Sequence, residues 1–368
     1  MMARYDVSIL AAGRDVSNAR LQRVMASCVS QGLRVELFSS GNKRDVPKGV
    51  IFHIVPKGSR LTRVTNAFLL PWRARGKVLF TPDPEGAIAI WASTLVRKRP
   101  WVADVREDYR LLIEDRAWAK GFAKILAIAL AKLALFASAR ADVTVVVDEW
   151  VRPLIAKKRL VVTNAPDVRF LPGVHAPDLT PRALYVGDVR GSRGLWSMLR
   201  TLELAPDWQL DVVGTIASQD MPRVLVWKEQ SLAASRVHFH GTLKPQDSWK
   251  FAAGAWVGLS LLENTPAFQR AWPTKIGEYL ACGIPVITTD LPRPREVIVS
   301  TRAGATVDFD TTELTAGQTA GILNSWAENP DEYKDVRARA EAQVDSWRSG
   351  ASYDLVAEAF KRLGQDQR

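Results

Sequence analysis

Lys275 and Glu278 stand three residues apart in the most informative stretch of the sequence, residues 259–290. There an apolar run gives way to a polar loop, and Pro273 and Thr274 open a helical pattern, proline suiting a first helical turn. Three apart on a helix, the two side chains share one face. A helix N-terminus offers unpaired backbone N–H groups and partial positive charge, which suit a diphosphate. Lys275 adds a full charge at that spot, and Glu278 can accept hydrogen bonds from paired hydroxyls, as on a ribose. Taken alone, the pair equally describes an amphipathic helix with a solvated ion pair.

A second segment favours the chemical reading. Residues 183–195, ALYVGDVRGSRGL, read as a strand, a loop with Gly187, Gly191 and Gly194, and a helix start. Glycines let backbone N–H groups approach an anion closely, while Arg190 and Arg193 supply charge. The spacing is neither G-x-G-x-x-G nor a Walker loop.

Elements able to hold these segments recur along the chain. Strand-length apolar runs fall at 7–10, 35–38, 50–54, 78–80, 101–104, 143–147 and 160–162, then at 183–186, 209–213, 237–240, 257–261, 285–288 and 305–307. Helical patterns lie between them, at 18–31, 85–97, 121–139, 194–204, 244–253, 274–281 and 331–346. Such alternation predicts an α/β chain with parallel, doubly wound sheets. Prolines 166, 172, 177 and 181 interrupt the pattern and mark a linker. Two Rossmann-like domains are expected, over residues 1–165 and 166–349. In such sheets ligands sit at the carboxyl ends of the strands.

Read in order, YVGDVRGSRGL, LDVVG, VHFHGTL and PTKIGEYLACGIPVITTDLPRPREVI resemble the C-terminal domain of GT-B glycosyltransferases. The nearest likeness is to the retaining family numbered four, glycosyltransferases group 1. TNAPD (163–167) resembles its Asn-x-x-Asp signature, and the run from Arg14, RDVSNARLQRVMASCVSQGLRVELFSSG, its first strand–helix–strand unit. TPDPEGAI (81–88) with VADVREDYRLLIEDR (102–116) resembles the DPE and D-x-H-E-D-Y pair of some members. The likeness spans about residues 5–310.

The resemblance implies two Rossmann-like domains facing each other across a cleft, with the last helix, about 350–368, packing back on the first domain. It implies transfer of a sugar from a nucleotide-diphosphate sugar to an acceptor hydroxyl, with retention and without metal or other cofactor. Donor roles fall on Gly187, Arg190, Arg193, Thr274, Lys275 and Glu278, with Arg193 and Lys275 neutralising the leaving diphosphate. Arg14, Asp15, Arg106, Asp108 and Tyr109 become acceptor-side candidates, beside the carboxylates Asp104 and Glu107. The sequence departs from the family pattern where Arg270 replaces the first glutamate of E-x7-E, where Asp188 follows Gly187 in place of arginine, and where Arg106 replaces a common histidine. One alternative is an inverting enzyme with Asp104 or Glu107 as base. Another is a noncatalytic sugar-nucleotide-binding protein.

Charge distribution bears on the partner. Residues 1–165 hold 28 Lys+Arg against 14 Asp+Glu, a net +14, whereas residues 166–368 hold 22 against 25, a net −3. A strongly basic half suggests an anionic partner. Residues 118–140 and 57–77 mix lysine and arginine with Phe68, Leu69, Leu70 and Trp72 and other apolar residues, a composition that suits an anionic bilayer or a buried helix. The expected acceptor is a lipid-linked saccharide or other cell-envelope glycoconjugate, reached by a cytoplasmic protein in peripheral contact with the membrane. Nucleic acid is not expected, because no binding motif accompanies the basic residues. Cys28 and Cys282 form no disulfide or metal pattern, and the four histidines have no ligand spacing. Asp308 and Asp310 form a literal D-x-D, expected to be a turn.

Overall fold

A computed structural model of the chain describes residues 5–107, 109, 113, 121–269, 274–348 and 353–365. The chain divides into two compact units, Met1–Asn164 with Ser352–Arg368, and Ala165–Ala351. Each is built on one parallel sheet.

The first unit carries a seven-stranded sheet ordered β3-β2-β1-β4-β5-β6-β7. Its strands are β1 (Tyr5–Asp15), β2 (Val35–Ser40), β3 (Val50–Ile54), β4 (Gly76–Thr81), β5 (Trp101–Val105), β6 (Val143–Val146) and β7 (Arg159–Val161). The central runs are apolar on both faces because helices cover both. Helix α1 (Ala19–Ser30), N-capped by the Asn18 side chain, packs with the last helix, Asp354–Gln365, on one face. On the other, α2 (Arg60–Arg73), α3 (Pro84–Thr94) and α4 (Gly121–Ser138) lie side by side.

The second unit carries a six-stranded sheet ordered β10-β9-β8-β11-β12-β13. It comprises β8 (Arg182–Val186), β9 (Gln209–Val213), β10 (Val237–Gly241), β11 (Val257–Ser260), β12 (Val286–Thr289) and β13 (Gly304–Val307). Its helices include α5 (Leu195–Leu204), α6 (Met221–Gln230), α7 (Thr274–Ala281), α8 (Pro292–Thr301), α9 (Thr312–Glu328), α10 (Pro330–Glu341) and α11 (Val344–Arg348). The single helix expected over 331–346 is two, α10 and α11, parted at Ala342–Gln343. Both sheets place the ends of their strands, and the loops that follow, along one edge.

Candidate functional site

In the second sheet β8 and β11 are neighbours, so their carboxyl ends bring the two sequence segments together. Gly187 follows β8 with φ 143°, a conformation that favours glycine, and a Cβ there would stand 3.6 Å from the Lys275 ammonium. Gly194 has φ 86°, and a Cβ would lie 2.1 Å from the Leu261 carbonyl oxygen. No side chain fits. The glycine loop is thus clamped to the segment after β11, and the Glu263 amide donates to the Ser192 carbonyl at 3.0 Å.

Helix α7 is fastened to the same place by Tyr279. Its hydroxyl donates to the Leu184 carbonyl and accepts from the Val186 amide, each at 3.1 Å. One turn earlier Lys275 is buried, and its Nζ lies 3.7 Å from the centre of the Tyr185 ring. Among the described residues that ammonium has no hydrogen-bond partner. Burial above all, with the charge of Arg193 beside it, holds its pKa well below the usual lysine range, against the pull of Glu278 and Asp188. Tyr185 is itself fixed, its hydroxyl donating to the Asp188 carbonyl at 2.7 Å.

Arg193 sits over the Phe268 ring at 5.8 Å, and its Nε is buried without a partner among the described residues. Glu278 is buried one turn beyond Lys275, and Thr274, half-buried, begins the helix. Arg190 is different: its guanidinium is paired with Asp188. Its Nε, like that of Arg193, is buried without a partner among the described residues. Lys275 and Arg193 thus lie beside the Gly187 loop and the start of α7, a grouping of charge and backbone whose chemistry can receive an anion.

The N-terminal candidates lie at the carboxyl edge of the first sheet. Arg14 Nε donates to Asp83 at 3.0 Å, and Asp83 also accepts from the Gly13 amide at 2.8 Å. Asp15 is held by Lys57 at 2.8 Å and by Ser17. Arg106 follows β5, Glu107 is exposed, and Tyr109 is half-buried, packed against the cluster of Val105, Leu135, Val146 and Val151. Asp108 and Arg270 lie outside the described residues.

Asp104 departs from expectation. Both its oxygens accept from Arg20, the closest contact 2.7 Å, and the residue is 3% exposed. Arg20 also donates to the Val162 carbonyl and the Asn164 side chain, and its guanidinium lies over Tyr353. A carboxylate so clamped anchors α1 and the last helix to β5. Both of its oxygens are committed to Arg20 in this arrangement.

Tyr185, Phe268 and Arg20 were not singled out in the sequence. Only Tyr185 left a signal, an aromatic residue two positions before the glycine that follows β8. Of the four histidines, His240 is engaged by Asp211 at 2.6 Å. Asp308, after β13, is held by Gln318 at 2.8 Å.

Residues 180–324 match the model of the family described as glycosyl transferases group 1. No curated protein matches the chain in sequence. Among solved structures, the sucrose-phosphate synthase from Thermosynechococcus elongatus is similar over 97% of this chain and 98% of its own, at 15% identity and a TM-score of 0.67. Anabaena HepE in complex with UDP-glucose aligns over 97% and 99%, at 12% identity and 0.68. WaaG, a glycosyltransferase involved in lipopolysaccharide biosynthesis, aligns over 96% and 99%, at 15% and 0.65. At these identities the likeness shows the fold.

Proposed function

We infer, from a chain whose two units have the GT-B fold and whose residues 180–324 carry the glycosyl transferases group 1 domain, a glycosyltransferase that draws its sugar from a nucleotide-diphosphate donor. The observation that carries this reading is the Lys275 ammonium, buried beside Arg193 and Gly187 with no hydrogen-bond partner among the described residues. A buried cation without a partner is costly, and a diphosphate supplies the partner.

Departure of the nucleotide builds negative charge on the diphosphate. Lys275 and Arg193 stabilise that charge most in the transition state, which is where stabilisation accelerates the reaction. Glu278 accepts the ribose hydroxyls. In a retaining transfer the donor phosphate takes the acceptor proton, so no protein base is needed. The Arg20–Asp104 pairing favours this course over inversion through Asp104. With two cations at the leaving group, transfer proceeds without metal.

The acceptor is a lipid-linked saccharide or another envelope glycoconjugate, handled by the first unit. Support comes from the outer surface of α2 and α4. Leu61, Phe68, Leu69 and Trp72 of α2 and Ile125, Leu126, Leu130 and Phe136 of α4 are exposed, and neither helix contains an acidic residue. Arg97 lies over the Trp72 ring at 5.0 Å and Arg140 over Phe136 at 3.3 Å. Basic and aromatic, the outer faces of these two helices suit an anionic bilayer. Among the described residues no helix is long and apolar enough to cross a membrane.

The test is turnover of a panel of nucleotide sugars with the wild type and Lys275→Ala. Removing one charge-stabilising donor is expected to lower kcat on the order of 10²-fold or more. Equal turnover by both proteins would contradict the assignment.

A further inference from the structure

At the carboxyl edge of the first sheet, several described charges are paired. Asp104 is held by Arg20, Asp83 by Arg14, and Glu85 by Arg63 at 2.5 Å. Arg106 has no carboxylate within ion-pair distance among the described residues. Its Nη1 donates to the Asn18 side-chain oxygen at 3.3 Å, an oxygen already shared with the Leu21 amide. Its Nη2 is buried and unpartnered among the described residues. Burial comes first and the charge of Arg14 second in working against its ionisation, with Arg20 adding to them and Asp104 and Asp83 only partly opposing.

An arginine stays charged in such a place, and the described residues supply it no carboxylate at ion-pair distance. Arg14 and Arg106 end the neighbouring β1–β4–β5 portion of the sheet, with Asp83 between them, and Arg14 is partly exposed. This is the edge at which open parallel sheets receive ligands. A bidentate guanidinium is the natural receptor for a phosphoryl or carboxylate group.

We propose that Arg106, with Arg14 beside it, binds an anionic group, phosphoryl or carboxylate, carried by the acceptor. This rests on the reading of the first unit as the acceptor side, and it narrows that acceptor to an anionic one. The donor diphosphate has its own cations, Lys275 and Arg193, in the second unit.

The experiment measures thermal stabilisation of the full chain by inorganic phosphate, at constant ionic strength set with chloride. The parent is the donor-side variant Lys275→Gln/Arg193→Gln, compared with and without Arg106→Gln. Phosphate is expected to stabilise the parent, and Arg106→Gln to weaken the apparent affinity at least tenfold, with Arg106→Lys between them. In phosphate-free buffer Arg106→Gln is expected to melt no lower than its parent, because it removes an unpaired buried charge, so a lost response is not lost folding. Phosphate stabilisation that is absent from the parent, or untouched by Arg106→Gln, overturns the proposal. With wild type saturated by a nucleoside diphosphate, added phosphate should stabilise further; mutual exclusion would assign the anion to the donor and also overturn it. Should the donor-side variant still bind nucleoside diphosphate as wild type does, the donor assignment fails while the Arg106 comparison stands. Acetate in place of phosphate then tells a carboxylate from a phosphoryl preference.

Discussion

The Lys275 ammonium lies 3.7 Å from the centre of the Tyr185 ring, and the Tyr185 hydroxyl is tied to the Asp188 carbonyl at 2.7 Å. The ring gives the cation a face to rest on but accepts none of its protons. Tyr185 thereby positions Lys275 while leaving its hydrogen-bonding capacity for a ligand. Replacing Tyr185 with leucine is expected to weaken nucleoside diphosphate binding several-fold, a cation–π contact being worth on the order of 1 kcal/mol. The Tyr185→Phe variant keeps the ring and should bind nearly as wild type.

Donor binding is expected to depend on pH through the same lysine. Burial and Arg193 hold its pKa well below the ordinary 10.5, and a bound diphosphate raises it again. Binding therefore takes up a proton at any pH between the depressed value of the free protein and the higher value of the complex. Across that window affinity falls as pH rises, and below it the dependence vanishes. Calorimetry in two buffers of different ionisation enthalpy should reveal the proton with wild type and not with Lys275→Arg. Equal heats in the two buffers would contradict it. Stability of the unliganded protein has the related sign: the unfolded chain binds the extra proton, so this contribution is lost as pH falls from about 10.5 toward the depressed pKa.

The buried Arg20–Asp104 pair carries a prediction about stability. Asp104→Ala leaves the guanidinium buried without its partner, a loss on the order of 3–5 kcal/mol in chemical denaturation. Tyr353→Phe removes a weaker polar contact and should cost about 1 kcal/mol. An Asp104→Ala protein of unchanged stability and abolished transfer would instead return Asp104 to the role of base.

At the membrane, wild type is expected to co-sediment with vesicles of phosphatidylglycerol and phosphatidylcholine, and far less with phosphatidylcholine alone. Each basic residue near such a surface contributes roughly 1 kcal/mol. Phe68→Ser/Trp72→Ser should lose most of this binding while nucleoside diphosphate binding stays intact. Co-sedimentation unchanged by the pair would take α2 away from the lipid surface.

The strand ladder was legible because parallel strands covered on both faces are short, dense apolar runs; residues 143–147 cover β6, all four of whose residues are buried. Helix α2 was not, since Pro71 in its last turn and three arginines disguise an element whose outer stripe is apolar. Helices α8 and α9 were missed as well: α8 opens on two prolines, and α9 alternates small and polar residues that give no strong stripe. At the site, Gly187, Arg193, Lys275 and Glu278 were readable because backbone permissiveness and charge are written in residue type. Which charges remain unpaired was not. Arg190 and Arg193 are three residues apart in one loop, yet only the first is paired with Asp188, and Arg106 meets no carboxylate among the described residues while Arg20 is clamped. Such pairing depends on packing across the sheet, which spacing along the chain does not encode.

Lys275, Arg193 and Glu278 build the donor site proposed for the second unit. It is tested most directly by thermal unfolding with a panel of nucleoside diphosphates in the presence of EDTA, on wild type and Glu278→Ala. A ligand at 100 times its Kd adds about 2.7 kcal/mol of stability. Stabilisation of wild type by one nucleobase above the others is expected, undiminished by EDTA and largely lost in Glu278→Ala. No shift with any nucleoside diphosphate at millimolar concentration, or an equal shift in both proteins, would contradict it.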